Sequence, residues 1–476
     1  MPPRRKILVV AGNLSHLDQF VIHGFFKELS DEAEVYLTLP EQELETDRWH
    51  EVSRCLGDSV REVVGFGYSS RAKVTGYQIG AALTYRYRKT SESYHVRILE
   101  SFFGGFELPM QIRSRRAFSI LVKRRAELAR RIVHEFPAMI RGTRIFFWIW
   151  SKFATRRVEA GCSLSSVLEK CDPDVTVTLM QRQAGFVIAS IDAGRKLGIP
   201  TLLIPYKWDN ASSKSPLIKT PNRMLVYNTA IQDVCARMHK MSASTVVAVG
   251  SVEIGTGKET RIDQASALVP LIGATLDIRS SANWLLALDK FFGSHAQQIV
   301  QENVKLVWRP YPTADENNLE FMRSFAMAHP RFELDKDIEA SVSHRSSKIT
   351  FAQTRAAYDR YISMLETSNF IVSEGTSVIV DARARGLAVI YPAFRNNAVV
   401  GCQWHRLNTS NHLKGLRETT GVFIAEDEVE FERLLNDFLT NPRRVPPDNT
   451  GEHIFVDHRS YVRRVLDVIE DVLSER

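Results

Sequence analysis

One short segment of the chain combines the residue types that bind phosphate. It is Ser373-Glu-Gly-Thr-Ser-Val-Ile-Val-Asp381, and it follows the apolar run Asn369–Val372. A buried strand that ends in a Gly-Thr-Ser turn and opens a helix at Ser377 offers backbone N–H groups and hydroxyls to an anion, and the helix dipole favours a diphosphate. Glycine at Gly375 lets the backbone approach the ligand closely. The alternative is an ordinary turn in which Thr376 and Ser377 cap the helix.

A polar cluster follows a second apolar run. Trp208, Asp209, Asn210 and Lys214 come shortly after the predicted strand Ile199–Pro205. Open α/β sheets bind their ligands beyond the carboxyl ends of the strands, so this cluster is a candidate binding site. The alternative is an Asx-type loop that is packed by the tryptophan.

The elements that must position these residues alternate along the chain. Continuous apolar runs, typical of parallel strands buried on both faces, are separated by segments with helical spacing. The predicted strands are Lys6–Val10, Glu34–Leu39, Asp172–Met180, Ile199–Pro205, Arg223–Tyr227, Ser244–Gly250, Ala267–Ile272, Val304–Trp308, Asn369–Val372, Leu387–Tyr391 and Gly421–Ile424. This alternation predicts an α/β fold made of two Rossmann-like, doubly wound parallel-sheet domains.

A polar stretch marks the predicted boundary between the two domains. Residues 251–265 carry glycines and several charges, which is typical of a linker. The sequence therefore predicts an N-terminal domain over residues 1–250 and a C-terminal domain over residues 266–455. Within the N-terminal domain, residues from about 66 to 160 break the alternation and are predicted to be an inserted helical excursion.

Composition limits the class of protein. The 476 residues are 44% apolar and 25% charged, which is ordinary globular usage. The net charge of +7 favours acidic partners such as nucleotide phosphates or anionic lipid. The five cysteines include no Cys-x-x-Cys pair, so neither a disulfide framework nor a zinc site is indicated. The apolar run at the N-terminus is too short for a signal peptide, and the run Ile145–Trp150 is too short to span a bilayer.

A basic stretch within the predicted insertion suggests a partner. Residues 113–157 combine Arg and Lys with apolar and aromatic residues at helical spacing. This pattern fits a surface that rests on anionic lipid or on a charged acceptor, and the alternative is a solvated helix face that covers the sheet. We expect a protein of the cytoplasm, peripheral at the inner face of the plasma membrane, with no nucleic acid as partner.

The segment around Gly375 resembles the donor site of GT-B glycosyltransferases, and it is closest to the CDP-glycerol glycerophosphotransferase-like branch of bacterial surface-polymer synthesis. Val307-Trp-Arg-Pro-Tyr-Pro312 resembles the strand-end Arg/Lys-x-His-Pro of these enzymes, with Tyr311 in the place of histidine. The segment that begins at Trp208 resembles the Trp-Asp-Asn-x-(Ser/Thr)-x-Lys of GT-B-like surface-carbohydrate proteins. The resemblance covers roughly residues 170 to 440.

The resemblance implies a role for each matched residue. The donor phosphates would lie on Gly375, Thr376 and Ser377 with help from Arg309, and Asp381 would face the ribose or its neighbouring groups. The other residues implied at the donor are Glu374, Tyr311, Gln403 and His405. The alternatives are that Arg309 simply ends a strand at the surface and that Gln403 and His405 are structural.

The resemblance also implies an acceptor side in the first half. The first βα loop, with Asn13 and His16, would face the cleft, and Trp208, Asn210 and Lys214 would contribute to it. A general base must reach the acceptor hydroxyl and titrate near the working pH, which His16 satisfies as an imidazole. Asp209 is the second candidate for the base. The alternative for His16 is that it merely occupies the first turn of a helix.

We therefore expect an enzyme, a GT-B glycosyltransferase that moves a sugar from a nucleotide-activated donor to a surface-polysaccharide or lipid-linked glycan acceptor. Because backbone N–H groups and Arg309 would stabilise the departing phosphate, no metal or other cofactor is expected. Residues 456–476 are expected to form a helix that crosses back to the N-terminal domain, as is usual for this architecture. The open alternatives are a CDP-alditol (glycerol or ribitol) phosphotransferase, a non-catalytic nucleotide-binding scaffold protein and a nucleotide-sugar epimerase.

Overall fold

The computed structural model describes most of the chain, and the account below concerns the described residues alone. They are residues 4–86, 144–180, 184–208, 210–213, 216–253, 271–273, 278–295, 306–309, 316–337, 351–375, 377–395, 403–409, 413, 415–445 and 459–476. Most of the predicted linker and the middle of the predicted insertion therefore lie outside them.

The first half of the chain builds a parallel sheet of seven strands. They are β1 (Lys6–Val10), β2 (Glu34–Pro40), β3 (Glu62–Phe66), β4 (Val175–Met180), β5 (Thr201–Pro205), β6 (Arg223–Val226) and β7 (Val246–Ala248). Their order across the sheet is β3-β2-β1-β4-β5-β6-β7. Every residue of β4 and β5 is buried, as expected for strands covered by helices on both faces.

Helices cover both faces of this sheet. They are α1 (Asp18–Ile22), α2 (Phe25–Glu32), α3 (Glu41–Leu44), α4 (Asp47–Leu56), α5 (Ser70–Arg86), α6 (Arg144–Ala160), α7 (Leu164–Cys171), α8 (Gly185–Leu197), α9 (Asn210–Ser213) and α10 (Gln232–His239), with 3-10 turns at Leu14–His16, Gly57–Ser59 and Ala243–Thr245. Sequence explains several of their ends. Thr46 caps α4 by accepting from the Trp49 N–H, and α8 ends at Gly198 in the left-handed conformation that glycine adopts without strain.

The second half builds a parallel sheet of six strands. They are β8 (Leu271–Gly273), β9 (Leu306–Arg309), β10 (Phe332–Leu334), β11 (Phe370–Ser373), β12 (Ala388–Pro392) and β13 (Val422–Ala425), in the order β10-β9-β8-β11-β12-β13. The helices of this half are α11 (Ile278–His295), α12 (Glu316–Ala328), α13 (Phe351–Thr367), α14 (Ser377–Ala384), α15 (Gln403–Thr409) and α16 (Glu428–Thr440), with a 3-10 turn at Leu416–Glu418. These two parallel sheets confirm the predicted fold class.

Both sheets are doubly wound, and each has one switch point. In the first sheet the chain starts at β1 and proceeds to β2 and β3 on one side, then returns to β4 on the other side. In the second sheet it starts at β8 and later returns to β11. Parallel sheets bind their ligands in the crevice outside the carboxyl ends of the two strands at such a point. The topology therefore selects the ends of β1 and β4 and the ends of β8 and β11.

The last helix, α17 (Tyr461–Ser474), packs on the first half. Tyr461, Val465 and Ile469 lie in one buried apolar cluster with Phe25 and Leu29 of α2. Ser460, which caps α17, also donates its hydroxyl to Glu28. The C-terminal segment thus belongs to the core of the N-terminal half, although the exact domain boundaries stay predictions.

Helix α13 spans the two halves. Its first residue, Phe351, is buried in the same apolar cluster as α2 and α17. The N–H of Ala352 is capped from the first half, because Glu51 of α4 accepts its hydrogen bond at 3.1 Å. Arg48 of α4 donates to Thr354 at 3.3 Å and pairs with Asp18 at 2.6 Å. Further along, α13 continues into the core of the second half.

Candidate functional site

Three residues lie in one row at the carboxyl edge of the second sheet. Arg309 is in register with Gly273, and Gly273 is in register with Ser373. They are the last residues of β9, β8 and β11, three adjacent strands that include the switch point. The chain leaves this row through Glu374 and Gly375 and enters α14 at Ser377. The predicted phosphate-binding segment and Arg309 are therefore neighbours in space.

The start of α14 is closely packed. Glu374 is fully buried, and its carboxylate accepts a hydrogen bond from the Trp284 indole N–H at 2.8 Å. A Cβ added to Gly375 would lie 2.7 Å from the Cδ1 atom of Leu413, so a side chain there requires Leu413 to move. Ser377 is half-buried at the N-terminal end of the helix. Glu374 thus orients the turn through α11, and the role of Glu374 and Ser377 in donor binding stays a prediction.

A chain of polar contacts runs from Arg309 to Asp381. The Arg309 guanidinium forms an ion pair with Asp335 and stacks over the ring of Tyr361, 4.3 Å from its centroid. The Tyr361 hydroxyl donates to Asp381 at 2.7 Å. Arg309 is therefore not a surface residue that merely ends a strand, because its charge is fixed by an acid and by an aromatic ring.

Asp381 is a buried carboxyl group on the first turns of α14. Its pKa is raised to about 6, first by burial and then by the nearby Glu253, whereas Lys207, the Tyr361 hydroxyl and Arg385 act in the opposite direction. Lys207 and Glu253 belong to the first half of the chain. A carboxyl group with this pKa can both accept and donate a proton near neutral pH.

The first half contributes an ion pair to the same place. Lys207 follows β5 directly, and its ammonium group pairs with Glu253. Burial works to lower the pKa of Lys207, but Glu253 and the hydroxyls of Tyr206 and Tyr227 raise it well above the ordinary value. We name Lys207, Glu253, Asp381, Tyr361 and Arg309 the interdomain polar cluster. It brings the carboxyl edges of both sheets together.

His23 and Tyr358 make a second contact between the halves, beside this cluster. Their rings meet edge to face with centroids 4.9 Å apart. Burial lowers the pKa of His23 to about 4, with smaller contributions from Glu253, which raises it, and from Lys207, Arg385 and Arg355, which lower it. His23 is therefore neutral near pH 7 and cannot act as a resident cation for a phosphate.

The first βα loop lies at the carboxyl edge of the first sheet, as predicted. Asn13 caps the 3-10 turn by accepting from the His16 N–H at 3.1 Å. The His16 side chain is buried, with its ring 5.5 Å from Tyr206 and 6.3 Å from Phe186. Gln19 holds the same loop by donating to the Tyr206 carbonyl at 2.6 Å. His16 thus packs on Tyr206, the residue before Lys207. Its role as a general base stays a prediction.

The segment that begins at Trp208 is held in place by the buried Trp208 ring and by His239 of α10. Trp208 is buried in the core, and the Asn210 N–H donates to the Lys207 carbonyl at 3.0 Å. His239 of α10 accepts from the Leu217 N–H at 3.1 Å through Nδ1 and contacts the Ala211 carbonyl at 2.7 Å through Nε2. Burial lowers the pKa of His239 to about 4, which keeps the ring neutral, so Nε2 is the donor in the second bond. This histidine joins the two ends of residues 211–217.

Gln403 lies at the end of the neighbouring strand. It opens α15, is buried, and accepts from the Tyr391 hydroxyl through its side-chain oxygen at 3.1 Å. Tyr391 is a residue of β12, so Gln403 is fixed beside the row rather than in it. The predicted site residues Asp209, Lys214, Tyr311 and Thr376 lie outside the described residues, as does the side chain of His405.

Sequence reasoning missed half of this site. Lys207, Glu253, Tyr361 and Asp335 carry charge or hydrogen bonds in it, and none was predicted as a site residue. Lys207 stood beside the predicted Trp208, and its charge after a strand was the available signal. Glu253 lay in the predicted linker, and Tyr361 lay in a helix that no motif marked.

In the part of the chain that the structure describes, no group of three or more His, Cys, Asp or Glu side chains is arranged to hold a metal ion. Asp174, just before β4, has a structural role, because its carboxylate accepts a hydrogen bond from the Lys6 N–H at 2.8 Å.

The sequence matches no protein-family model and no curated protein. Solved structures match along the whole chain. A candidate UDP-N-acetylglucosamine 2-epimerase from Listeria monocytogenes has a TM-score of 0.52 and 11% identity, with 99% of this chain and 98% of that chain covered. A UDP-GlcNAc 2-epimerase from Methanocaldococcus jannaschii has a TM-score of 0.50 and 10% identity, with 98% and 99% covered.

Another UDP-N-acetylglucosamine 2-epimerase has a TM-score of 0.50 and 13% identity, with 100% of this chain and 97% of that chain covered. These proteins have the GT-B fold, in which two Rossmann-like domains meet at the carboxyl edges of their sheets. The two doubly wound sheets and the interdomain polar cluster agree with that arrangement. This chain has the GT-B fold.

Proposed function

We propose that the chain is a GT-B glycosyltransferase, which binds a nucleotide-activated sugar between its halves and moves the sugar to a glycan or lipid-linked acceptor. The observation that carries the proposal is the row of Arg309, Gly273 and Ser373 at the switch point, which leads directly into the start of α14. A basic side chain, a glycine strand end and a helix N-terminus at one place form a site for a diphosphate.

In this proposal the donor diphosphate lies against the first turn of α14, beside Arg309. The guanidinium has five N–H donors, and its contact with Asp335 is made through Nη1. The departing nucleotide gains negative charge during transfer, and fixed N–H groups together with Arg309 and Lys207 stabilise that charge. The proposal therefore includes no metal and no other cofactor.

The acceptor would enter from the first half, where the loops after β1 and β5 meet the cluster. Transfer to a hydroxyl requires a base, and His16 and Asp209 remain the proposed groups. Asp381 is a further group whose pKa, about 6, suits proton transfer near neutral pH. The family resemblance puts Asp381 near the ribose, and the structure puts it near Lys207 of the first half. Both support a position between the nucleotide and the acceptor.

A second candidate is a nucleotide-sugar epimerase. The three solved structures described above are of UDP-N-acetylglucosamine 2-epimerases. Inversion at a sugar carbon removes a proton and returns one, which requires titratable groups at the sugar. Glu253 is a second carboxyl group close enough to raise the pKa of Asp381, and this pair of neighbouring carboxyl groups favours the second candidate.

A thermal-shift screen with UDP, CMP, CDP, GDP and dTDP tests the donor site, because a ligand that binds only the folded state raises the melting temperature. We expect one nucleotide to raise it in the parent and not in Arg309→Ala. The control is Arg323→Ala, a half-exposed arginine on α12 outside the interdomain polar cluster. If no nucleotide changes the melting temperature, the proposed donor site is contradicted for both enzymes.

Product analysis then separates the reactions. A glycosyltransferase releases a nucleoside diphosphate only when an acceptor is present. A CDP-alditol phosphotransferase, the nearest alternative from the sequence, releases CMP instead. An epimerase needs no acceptor and leaves deuterium from heavy water at the inverted carbon. Release of CMP from a CDP-linked donor, or deuterium in the recovered donor, would contradict glycosyl transfer.

A further inference from the structure

Two packed helices of the first half expose an unusual share of apolar surface. Nine large apolar side chains are exposed in the described residues, and five of them lie on α5 and α6. They are Val74, Tyr77, Trp148, Ile149 and Phe153. Trp148 is 63% exposed and Phe153 is 66% exposed, which is far more than soluble packing requires of aromatic residues.

The exposed aromatic residues of α6 alternate with cations on one face. Trp148, Ile149, Lys152, Phe153 and Arg156 follow one another at spacings of one and three residues, which place them on the same side of a helix. The Lys152 ammonium lies 4.1 Å from the centre of the Trp148 ring. The opposite side of α6 is buried, with Ala154 and Val158 in the core.

The charge of this surface has one sign. The exposed cations are Arg71 and Lys73 on α5 and Lys152, Arg156 and Arg157 on α6. Helix α5 contains no acidic residue, and the single acid of α6, Glu159, pairs with Lys196 of α8 at 3.1 Å. A partner that covers this surface must therefore bring negative charge together with an apolar layer.

We propose that α5 and α6 form a docking surface for an anionic membrane. The helix α6 lies in the plane of the headgroups, with Trp148, Ile149 and Phe153 in the acyl boundary and Lys152 and Arg156 on the lipid phosphates. None of the described helices is long and apolar enough to cross a bilayer, so the contact is interfacial. The inference stands apart from the proposed function, since it involves no residue of the interdomain polar cluster.

Other occupants fit the same surface less well. A second copy of the chain would bring Lys152 and Arg156 against their own equivalents, and like charges repel. A nucleic acid would match the cations and the indole, but the aliphatic side chains Ile149 and Val74 gain nothing from a phosphate backbone. Anionic lipid suits all three kinds of side chain, because its phosphates bind the cations and its acyl boundary accepts the aromatic and aliphatic groups.

Flotation of the full chain with vesicles tests the proposal. We expect binding to vesicles of phosphatidylcholine mixed with phosphatidylglycerol and none to phosphatidylcholine alone. Lys152→Gln and Arg156→Gln should each weaken binding about fivefold, the effect of one basic residue near an anionic surface. Trp148→Ser with Phe153→Ser should abolish the binding that persists at high salt, where charges are screened.

Matched controls keep the result specific. Met327→Ser on α12 and Val429→Ser on α16 remove apolar side chains elsewhere that are even more exposed, and they should leave binding unchanged. If the α6 variants do not fold, quenching of the parent's tryptophan fluorescence by brominated lipid acyl chains gives the same test without substitutions. We expect quenching with anionic vesicles.

Several results would overturn the inference. One is that the α6 variants bind vesicles as well as the parent does. Another is that the parent shows neither vesicle binding nor quenching. A third is that a single-stranded oligonucleotide displaces the vesicles. A dimer that dissociates in Phe153→Ser would assign the surface to a second copy instead.

Discussion

The Tyr361 hydroxyl donates to the Asp381 carboxylate over 2.7 Å, while the Arg309 guanidinium stacks on the same tyrosine ring. One side chain of α13 therefore orients both the acid of α14 and the cation at the end of β9. Because the first turn of α13 is held by Glu51 and Arg48 of the first half, the position of Tyr361 depends on how the two halves meet.

The first prediction concerns that hydroxyl. Tyr361→Phe removes a donor from a buried carboxylate, so the pKa of Asp381 should rise further and the protein should lose about 1–3 kcal/mol of stability at pH 7. Denaturant unfolding measures the loss. The matched control is Tyr358→Phe, one turn earlier on the same helix, whose ring packs against His23. Equal losses in the two variants would contradict a specific role of the Tyr361 hydroxyl.

The second prediction concerns pH. The pKa of Asp381 is about 6 in the folded protein, above its ordinary value of 3.8, so the folded state holds a proton that the unfolded state releases. Stability from this group is complete below pH 3.8 and is lost as the pH rises through 6. Asp381→Asn should therefore be more stable than the parent at pH 8 by up to about 3 kcal/mol.

The gain in Asp381→Asn should shrink as the pH falls and vanish near pH 4, where the parental carboxyl group is neutral as well. Unfolding curves measured from pH 4 to pH 8 check this. Parallel stability profiles for parent and variant would mean that the carboxyl group titrates normally.

The third prediction concerns the ion pair that the first half contributes to the interdomain polar cluster. Lys207→Met leaves Glu253 buried without its cation, and Glu253→Gln leaves Lys207 without its anion, so each should cost about 2–4 kcal/mol. The double variant should recover most of the loss. The same cycle on Lys170 and Glu62, an exposed pair of the first half, should give less than about 1 kcal/mol. Strictly additive losses at Lys207 and Glu253 would show that the two charges are not coupled.

The fourth prediction concerns His239. His239→Leu leaves the Leu217 N–H and the Ala211 carbonyl without their partner, which should cost about 2–4 kcal/mol and expose residues 211–217 to proteases. His50→Leu, at an exposed position of α4, is the control. Limited proteolysis with cleavage-site mapping reads out the loop directly, and unchanged cleavage would contradict the anchoring role.

The same histidine predicts an acid effect. The pKa of His239 is about 4 in the folded protein and 6.5 ordinarily, so its contribution to stability is present above pH 6.5 and is lost as the pH falls towards 4. The parent should therefore lose stability over this range more steeply than His239→Leu. An equal slope in both would assign the acid sensitivity to other groups, such as His23.

Sequence reasoning predicted the strands well where they are continuous apolar runs. The predicted Lys6–Val10 is β1 to the residue, and Leu387–Tyr391 differs from β12 by one residue at each end. The sequence analysis missed β3 and β10, because neither is a long apolar run. Glu62–Phe66 is half-buried at the edge of its sheet, and Phe332–Leu334 has three residues at the edge of the other.

Only the site residues at or just after the ends of predicted strands could be predicted from the sequence. Ser373 to Asp381 and Arg309 could be named because strand ends in parallel sheets meet ligands, but their register across β8 could not be read from local patterns. Lys207, Glu253 and Asp381 lie far apart in sequence, and they meet only because the two sheets face each other. Tyr361 could not be predicted for the same reason, because its contacts with Asp381 of α14 and Arg309 of β9 exist only in the folded structure.

The packing of α17 on α2 has a consequence for the order of synthesis. The apolar cluster of Phe25 and Leu29 is completed by Tyr461, Val465 and Ile469, which the ribosome makes only after both sheets. The first half must therefore wait, with part of its apolar surface in water, while more than two hundred further residues are translated. A nascent chain of this protein has a built-in need for protection until its last helix arrives.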